Sequence, residues 1–480
     1  MGRTDEISAL DATGQADLVR RKEITPLELV DDAIEKIERL NPALNAVIHR
    51  HFERARSQAA GRLADGPFRG VPFLLKDFGG GSIKGDPIYW GTRFLRDAGH
   101  RSPSTSYIVE KFLNAGFIVV GRTNVPELGA WTTTEPASFG PTRNPWDTTR
   151  SSGGSSGGSG AAVASRMVPA AHGNDGGGSI RIPASECGLV GLKPTRGRVS
   201  MGPDVGEFWE GMVIDFALTH TIRDAAAMLD VVAGAMPGDP YVAAPPARPY
   251  RDEVGAPCQP LRIGLLTGLS SVKVHPECAA AVEAAGRLLE SMGHHVEFSH
   301  PADLEDPERS AFIPVITTSQ ARLVEQFSAA IGRKITAADM DPDNWVVTDL
   351  GSKVSGTEYL AAVEVLHRYT RKLAAWWEGG FDLLVTPTIP EPPPPLGVLV
   401  PDGREPLKGF VRSGELVPFT SPFNVTGQPA ISLPLHWTSE GLPVGVQFIA
   451  AFGREDLLLR VGSHLEQAVR WNDRRPKVCG

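Results

Sequence analysis

Cysteine is scarce in this chain of 480 residues, which contains four cysteines and no C-x-x-C pair. A disulfide framework is implausible at that density. The twelve histidines are scattered, and neither an H-E-x-x-H sequence nor a close cluster of histidine, cysteine and aspartate is present. The sequence therefore gives no sign of a metal centre, and we expect no metal and no other cofactor.

Long apolar runs are also missing, since no stretch reaches the roughly 18 residues that a membrane-spanning helix needs. The first 20 residues lack the basic start and the apolar block of a signal peptide. Positive charge is not in excess, because 48 Lys and Arg face 56 Asp and Glu, for a net charge of -8. A mildly acidic surface does not favour nucleic acid or anionic membranes. We expect a soluble, cytoplasmic protein with neither of those partners.

The order of helix and strand signals predicts an α/β fold. Thr25-Pro26-Leu27-Glu28 is a capping box with proline at the first helical position, and Asn41-Pro42 predicts the end of that helix. Short continuous apolar runs, such as residues 70–75, 117–120 and 444–449, alternate with helical patterns. Such alternation is typical of a largely parallel sheet with helices packed against it.

Lys76 stands directly after the apolar run at 70–75. A charged lysine costs several kcal/mol to bury without a partner, so a buried lysine here would need a function or a partner. The structural alternative is a strand-end lysine whose ammonium group reaches solvent.

A second candidate is the stretch from Gly153 to Gly160, which contains only glycine and serine. A flexible linker is one interpretation. The stretch runs directly into the helix formers Ala161, Ala162 and Ala164, however, which favours a tight loop that places a serine hydroxyl. The G-x-S-x-G pattern at 154–158 suits a nucleophile elbow poorly, because polar residues rather than an apolar strand precede it.

The third candidate is Ser179, which follows three consecutive glycines, Gly176, Gly177 and Gly178. Converging backbone N–H groups are what an oxyanion hole requires, and a serine beside them could attack a carbonyl group. Asp175 and Arg181 flank this loop and could pair to brace it. An ordinary glycine turn is the structural alternative.

These segments, taken in order, resemble the amidase signature hydrolases. The resemblance covers about residues 5 to 470 and rests on Gly70–Pro72 with Lys76-Asp77, Gly121–Asn124 with Glu127, Gly153–Gly158, Asp175–Pro183, Gly191–Thr195, Phe423–Ala430 and Gly441–Gln447. It implies a large twisted mixed β-sheet with helices on both faces. It also implies one domain over 1–480, with core motifs at about 70–200, a proline- and alanine-rich excursion at about 237–260 and an α/β remainder at 261–470.

The resemblance implies a role for each candidate. Lys76 is the expected base, Ser155 the bridging serine on a cis peptide bond, and Ser179 the nucleophile. The expected oxyanion donors are the N–H groups of Gly176, Gly177, Gly178 and Ser179. The expected supporting residues are Ser156, Asp175 and Arg181. Since a free lysine has a pKa near 10.4 and only a neutral lysine can accept a proton, Lys76 must be buried and Asp77 must point away from it.

The expected reaction is hydrolysis of an amide C–N bond through an acyl-enzyme, on a small to medium apolar or cyclic amide. Asn174 stands where many members have threonine, and it resembles the branch that hydrolyses 6-aminohexanoate cyclic dimers. A carbamate (urethane) or aryl-acylamide hydrolase is the alternative on the same triad. A glutaminase subunit of a tRNA-dependent amidotransferase and a non-catalytic binding protein are further alternatives.

The expected partner is therefore a small amide or carbamate. Gly129, Ala130 and Trp131, with loops within 311–350 and 396–418, are the candidate pocket walls. Trp131 would suit an apolar or aromatic acyl group, and a packing role is the alternative. The sequence leaves the oligomeric state open, with a homodimer as one expectation.

Overall fold

The structure is a computed structural model that describes Ile7, residues 9–400 and residues 405–480. Residues 1–6 and 8, part of the segment considered for a signal peptide, lie outside the described residues, as do residues 401–404 of the candidate loop 396–418. The strands are β1 Val47–Arg50, β2 Pro72–Lys76, β3 Ile118–Thr123, β4 Ala170–Asp175, β5 Val190–Lys193, β6 Ile214–Thr219, β7 Arg262–Leu265, β8 His295–Phe298, β9 Leu383–Pro387, β10 Ala430–Trp437 and β11 Pro443–Ala450. They form one 11-stranded sheet in the order β1-β3-β2-β4-β6-β5-β10-β11-β9-β7-β8.

The directions of the strands correct one prediction. β2 lies parallel to β3 and β4, and β7 lies parallel to β8 and β9, whereas the pairs from β4 through β6, β5, β10 and β11 to β9 are antiparallel. The prediction of a largely parallel sheet is therefore wrong, and the mixed sheet that the resemblance implied is confirmed. Successive residues of the central strands are buried, so both faces are covered and each strand forms an apolar run whatever its direction.

Helices cover the sheet. They are α1 Ala12–Arg20, α2 Pro26–Leu44, α3 Phe52–Ala60, α4 Arg93–Asp97, α5 Tyr107–Asn114, α6 Gly157–Ala164, α7 Arg181–Cys187, α8 Ile222–Val232, α9 Pro276–Ser291, α10 Phe312–Ala330, α11 Pro342–Gly351, α12 Gly356–Glu378, α13 Lys408–Leu416, α14 Ser421–Val425 and α15 Glu455–Val469. Within the described ranges, none of the helices is long and apolar enough to cross a membrane.

Helix α2 begins as predicted and ends later than predicted. The side chains of Thr25 and Glu28 form the capping box, and Pro26 is the first helical residue. Pro42 does not end the helix, which continues to Leu44 and stops at Asn45 in the left-handed conformation. The side chain of Asn41 accepts hydrogen bonds from the backbone N–H groups of Ala46 and Val47, both 2.8 Å, so the last turn is held by contacts that the proline cannot disrupt.

The sheet brings two strand ends together. Leu74 of β2 pairs with Ala171 of the parallel strand β4, so the carboxyl ends of both strands lie at one edge of the sheet. β2 ends on Lys76, and the loop with the three glycines begins directly after β4. Helix α6 starts at Gly157, earlier than the alanine run predicted, because its glycines allow close packing; a Cβ atom on Gly158 would lie 2.4 Å from the backbone nitrogen of Asn124.

Candidate active site

Lys76 is fully buried and does not reach solvent. Its Nζ atom lies 2.8 Å from Ser155 Oγ and also donates a hydrogen bond to Asn174 Oδ1. Burial lowers the pKa of Lys76 to about 7, although the carboxylates of Asp215 and Asp175 act in the opposite direction. Near pH 7 the Lys76 amine is therefore neutral in a substantial fraction of the molecules.

Asp77, the other charged residue at this strand end, does not pair with Lys76. Its carboxylate accepts a hydrogen bond from the backbone N–H of Tyr89, at 3.2 Å from each oxygen. Burial raises the pKa of Asp77 to about 6, against the opposing effect of Arg122. The requirement that Asp77 point away from Lys76 is thus met.

The glycine- and serine-rich stretch at 153–160 is a packed loop and the start of a helix, and its residues are buried. The linker interpretation is therefore wrong. The peptide bond between Gly154 and Ser155 is cis. A Cβ atom on Gly154 would lie 2.5 Å from the backbone nitrogen of Thr133, so the loop packs directly against the segment that carries Trp131. Ser156 donates a hydrogen bond of 3.3 Å from its hydroxyl group to the backbone oxygen of Asn174.

Ser179 lies half-buried on the wall of a cavity, together with Gly176 and Gly177. The N–H of Gly178 donates to Asp175 Oδ1 at 2.8 Å, so it is already used. Among the described residues, no hydrogen bond uses the N–H groups of Gly176, Gly177 or Ser179. Of the four expected oxyanion donors, these three remain available.

A buried ion pair braces the loop from behind. Arg181 donates from Nε to Asp175 Oδ2 at 2.9 Å and from Nη2 to Asp175 Oδ1 at 2.8 Å, in the two-pronged geometry of a strong guanidinium–carboxylate pair. Burial alone raises the pKa of the Asp175 carboxyl, but Arg181 and Asn424 more than offset that effect and hold the pKa below its usual range. Asp175 is therefore a fixed anion that aligns the loop.

Three residues that the sequence did not assign to the site support it. Asn174 bonds to Lys76, and Asn424 donates to the backbone oxygen of Asp175 at 3.0 Å. Gln447 Oε1 accepts from Arg181 Nη1 at 2.7 Å. Asn424 and Gln447 belong to motifs on which the resemblance rests, but the sequence analysis assigned no role to either residue. Asn174 was noted only as a departure from the common threonine, and that departure was the signal that could have identified it.

The cavity beside Ser179, called here the first cavity, has a volume of about 200 Å³. Gly129, Ala130 and Trp131, the candidates for the pocket wall, line it. Both candidate loops also contribute, 311–350 through α10 and 396–418 through α13. Its other apolar wall residues include Ile182, Trp209, Met212, Phe312, Ile316, Phe410 and Val417. Trp131 meets Phe410 edge to face at 6.2 Å, so it both packs and faces the cavity.

The chain is similar to known amidases over nearly its whole length. The family model described as Amidase matches residues 28–459. The chain is 43% identical over 478 residues to a 6-aminohexanoate-cyclic-dimer hydrolase from Paenarthrobacter ureafaciens, which covers 98% of this chain and 96% of that relative.

Solved structures of amidases have the same fold as this chain. The structure of 6-aminohexanoate cyclic dimer hydrolase has a TM-score of 0.94 at 43% identity, covering 98% of this chain and 99% of that one. A bacterial aryl acylamidase of the amidase signature family has a TM-score of 0.85 at 27% identity, covering 97% and 98%. The chain therefore belongs to the amidase signature family and is an amide-cleaving hydrolase.

Proposed function

We propose that the chain hydrolyses small to medium, uncharged, apolar or cyclic amides of the 6-aminohexanoate cyclic-dimer type through an acyl-enzyme on Ser179. Ser155 carries the proton and Lys76 is the base. The observation that carries the proposal is the 2.8 Å hydrogen bond between Lys76 Nζ and Ser155 Oγ, made by a lysine with no exposed surface. Such a lysine is neutral enough near pH 7 to accept a proton.

The proton moves along a short relay. As Ser179 Oγ attacks the carbonyl carbon, its proton passes to Ser155 Oγ while the proton of Ser155 passes to Lys76 Nζ. The relay then runs backwards, and Ser155 protonates the leaving nitrogen as the C–N bond breaks. Water repeats the attack on the acyl-enzyme with the same relay, which releases the acid and restores Ser179.

The negative oxygen of each tetrahedral intermediate lies against the glycine loop. The N–H groups of Gly176, Gly177 and Ser179 are the donors, and the Asp175–Arg181 pair holds the loop that carries them. Loss of one such donor reduces turnover by on the order of 10²–10³.

The chemistry of the first cavity supports an uncharged substrate. None of the described residues around it is charged, and its walls are mainly aliphatic and aromatic. A charged group placed there would lose its hydration without gaining a partner. The polymethylene chain of a cyclic amide loses no such hydration, and the similarity to 6-aminohexanoate-cyclic-dimer hydrolase supports this substrate class.

Aryl acylamides and aryl carbamates are the second candidate substrates. The rings of Trp131, Trp209 and Phe410 on the cavity wall favour an aromatic group, and an aryl acylamidase shares the fold. Glutamine fits less well, because its ammonium and carboxylate groups would find no charged partner among the described residues of the cavity.

A hydrolysis panel tests the proposal. We expect the purified chain to open the 6-aminohexanoate cyclic dimer faster than it cleaves the linear dimer, aliphatic amides, anilides or aryl carbamates. Lys76→Ala should lower kcat by about 10²–10⁴, since it removes the base. Ser179→Ala should abolish both turnover and covalent labelling by a fluorophosphonate.

The matched controls are Lys84→Ala and Ser291→Ala, which change the same residue types at exposed positions. Both should keep the wild-type rate and labelling. Near-normal turnover by Ser179→Ala or Lys76→Ala would rule out the triad. If the chain prefers anilides or carbamates to the cyclic dimer, its substrates are the aryl acylamides and aryl carbamates instead.

A further inference from the structure

A second cavity, of about 320 Å³, approaches the catalytic residues from the side of Lys76. Phe78, Gly79, Gly80 and Asn174 are among the residues that line it. Asn174 bonds to Lys76 Nζ, and that atom also lies 5.3 Å from the centre of the Phe78 ring. The second cavity therefore ends next to the base rather than next to the nucleophile.

Two adjacent aromatic residues line the two cavities, one in each. Trp209 lines the first cavity and Phe208 lines the second, with their ring centres 6.0 Å apart. Ser179 belongs to the wall of the first cavity, and Asn174 belongs to the wall of the second. Ser179 and the Lys76–Asn174 pair thus lie between the two cavities.

The stereochemistry of the proposed reaction distinguishes these spaces. In the tetrahedral intermediate the oxygen faces the N–H groups of the glycine loop. The leaving nitrogen must lie within reach of Ser155 Oγ, which protonates it, and Ser155 bonds to Lys76 on the side of the second cavity. The acyl carbon chain is left with the remaining direction, into the first cavity.

We propose that the second cavity is the binding site for the amine side of the scissile bond, and that the first cavity binds the acyl side. This inference rests on the proposed function and adds the orientation of the substrate to it. Phe78 and Trp90 lie with ring centres 4.1 Å apart, and Phe327 meets Trp90 at 5.3 Å, so the walls suit an alkyl or aryl group on nitrogen.

The mouth of the second cavity adds a charge preference. Asp204 is exposed there, and its carboxylate accepts a hydrogen bond from Ser104 Oγ. No lysine or arginine is among the described residues that line this cavity. The described part of the mouth therefore offers no cationic partner for a carboxylate, and the site takes an uncharged alkyl or aryl amine.

Amides that differ on one side only test the assignment. Hexanamide and N-hexylhexanamide share an acyl group, whereas N-hexylacetamide and N-hexylhexanamide share an amine. Gln326→Trp and Ala330→Trp each place an indole at the exposed mouth of the second cavity. For both variants the ratio of kcat/KM for N-hexylhexanamide to that for hexanamide should fall about tenfold or more, because one side of the substrate loses its pocket.

Val411→Trp should have the complementary effect. Val411 lines the first cavity with 58% of its surface exposed, so the indole obstructs that cavity. The ratio of kcat/KM for N-hexylhexanamide to that for N-hexylacetamide should fall. Arg322→Trp, on the same helix as Gln326 but outside the second cavity, should change neither ratio.

The inference is overturned if the two sets of variants exchange their effects, if they slow all three amides equally, or if they change no ratio. A wild-type chain that opens the 6-aminohexanoate cyclic dimer but hydrolyses none of the three linear amides would also overturn this inference, whereas a chain that hydrolyses neither the cyclic dimer nor these amides would defeat the proposed function. Both results are recognisable without any variant.

Discussion

In the proposed mechanism, the hydrogen bond from Lys76 to Asn174 sets the orientation of the Lys76 amine beside Ser155. A neutral lysine has two N–H groups and one lone pair, and the lone pair must face the Ser155 hydroxyl for that hydroxyl to give up its proton. The Asn174 Oδ1 atom can only accept, so it takes one N–H of Lys76, and we expect this bond to leave the lone pair free to face Ser155 in the proposed relay. We expect Asn174 to act as a positioning residue, with an effect that is visible in the pH dependence of the reaction.

In the wild type we expect kcat/KM to rise with pH and to level off above a midpoint near 7, because the proposed base Lys76 must be neutral and its pKa is about 7. Asn174→Asp places a negative charge beside Nζ. That charge stabilises the ammonium form, raises the pKa of Lys76 and moves the midpoint to higher pH. A pH profile of kcat/KM for both proteins measures the shift.

Asp215→Asn is the control, for which we expect the pH midpoint to shift in the opposite direction. Asp215 is buried beside His172, 3.3 Å from its Nε2 atom, and its charge raises the pKa of Lys76. Its removal should therefore move the midpoint to lower pH with little change of shape. Identical midpoints in all three proteins would show that Lys76 is not the titrating base.

At this scale the sequence predicted the residue types and left out their contacts. Lys76, Ser155 and Ser179 could be named because each lies in a motif. The bond from Asn174 to Lys76 joins two strands that are distant in sequence, so no local pattern contains it. Likewise, nothing in a run of three glycines indicates that the N–H of Gly178 donates to Asp175.

At the scale of elements, the brace around the loop between β4 and α7 should carry much of the local stability. Arg181 Nη1 donates to the Thr420 backbone oxygen at 2.9 Å, and Nη2 donates to Asn424 Oδ1 at 2.6 Å, in addition to the bonds with Asp175. All of these groups are buried. Removing the guanidinium group leaves the Asp175 charge without its main partner.

We therefore expect Arg181→Met to lower the free energy of unfolding by about 3–5 kcal/mol, the cost of breaking a buried ion pair. Urea denaturation measures the change. Arg251→Met is the matched control, since Arg251 pairs with Asp252 at 3.7 Å with both side chains largely exposed. That change should cost less than about 1 kcal/mol. Equal effects for the two substitutions would mean that Arg181 is not a brace.

Helix α6 gives a second prediction at this scale. Glycine within a helix is usually about 1 kcal/mol less favourable than alanine. At Gly158 a Cβ atom would lie 2.4 Å from the Asn124 nitrogen and 2.5 Å from its oxygen, and backbone atoms cannot easily move. Gly158→Ala should therefore lower the midpoint of urea denaturation.

The same substitution at Gly414 should change the midpoint of urea denaturation in the opposite direction. Gly414 is also helical, and apart from its chain neighbours and the backbone of its own helix, no described atom lies within 4 Å of an added Cβ atom. Gly414→Ala should raise the midpoint, because only the helix propensity changes. If both variants were stabilised, the close packing of α6 would be contradicted. The sequence alone could not distinguish these glycines, since the difference lies in which backbone passes nearby.

At the scale of the whole molecule, the sheet links segments that are far apart in sequence. β5 pairs with β10, matching Leu192 to Ile431, although more than 200 residues separate them. The brace also joins the two parts of the chain, since Thr420, Asn424 and Gln447 all contact the loop at 175–181. Strand positions could be predicted from apolar runs, but the order and direction of the strands depend on these long-range pairings.

This connectivity argues that the chain is one cooperative unit, and the exposed segment around Pro245 and Pro246 permits a test. A specific protease site inserted there should be cleaved without separating the halves, because β5–β10 pairing and the buried Arg198–Glu455 ion pair hold them together. We expect the two fragments to elute together on size exclusion, retain amidase activity and unfold in one transition. A denaturing gel confirms complete cleavage. Elution of separate fragments, or two transitions in calorimetry, would show that the halves on either side of this segment are independent domains.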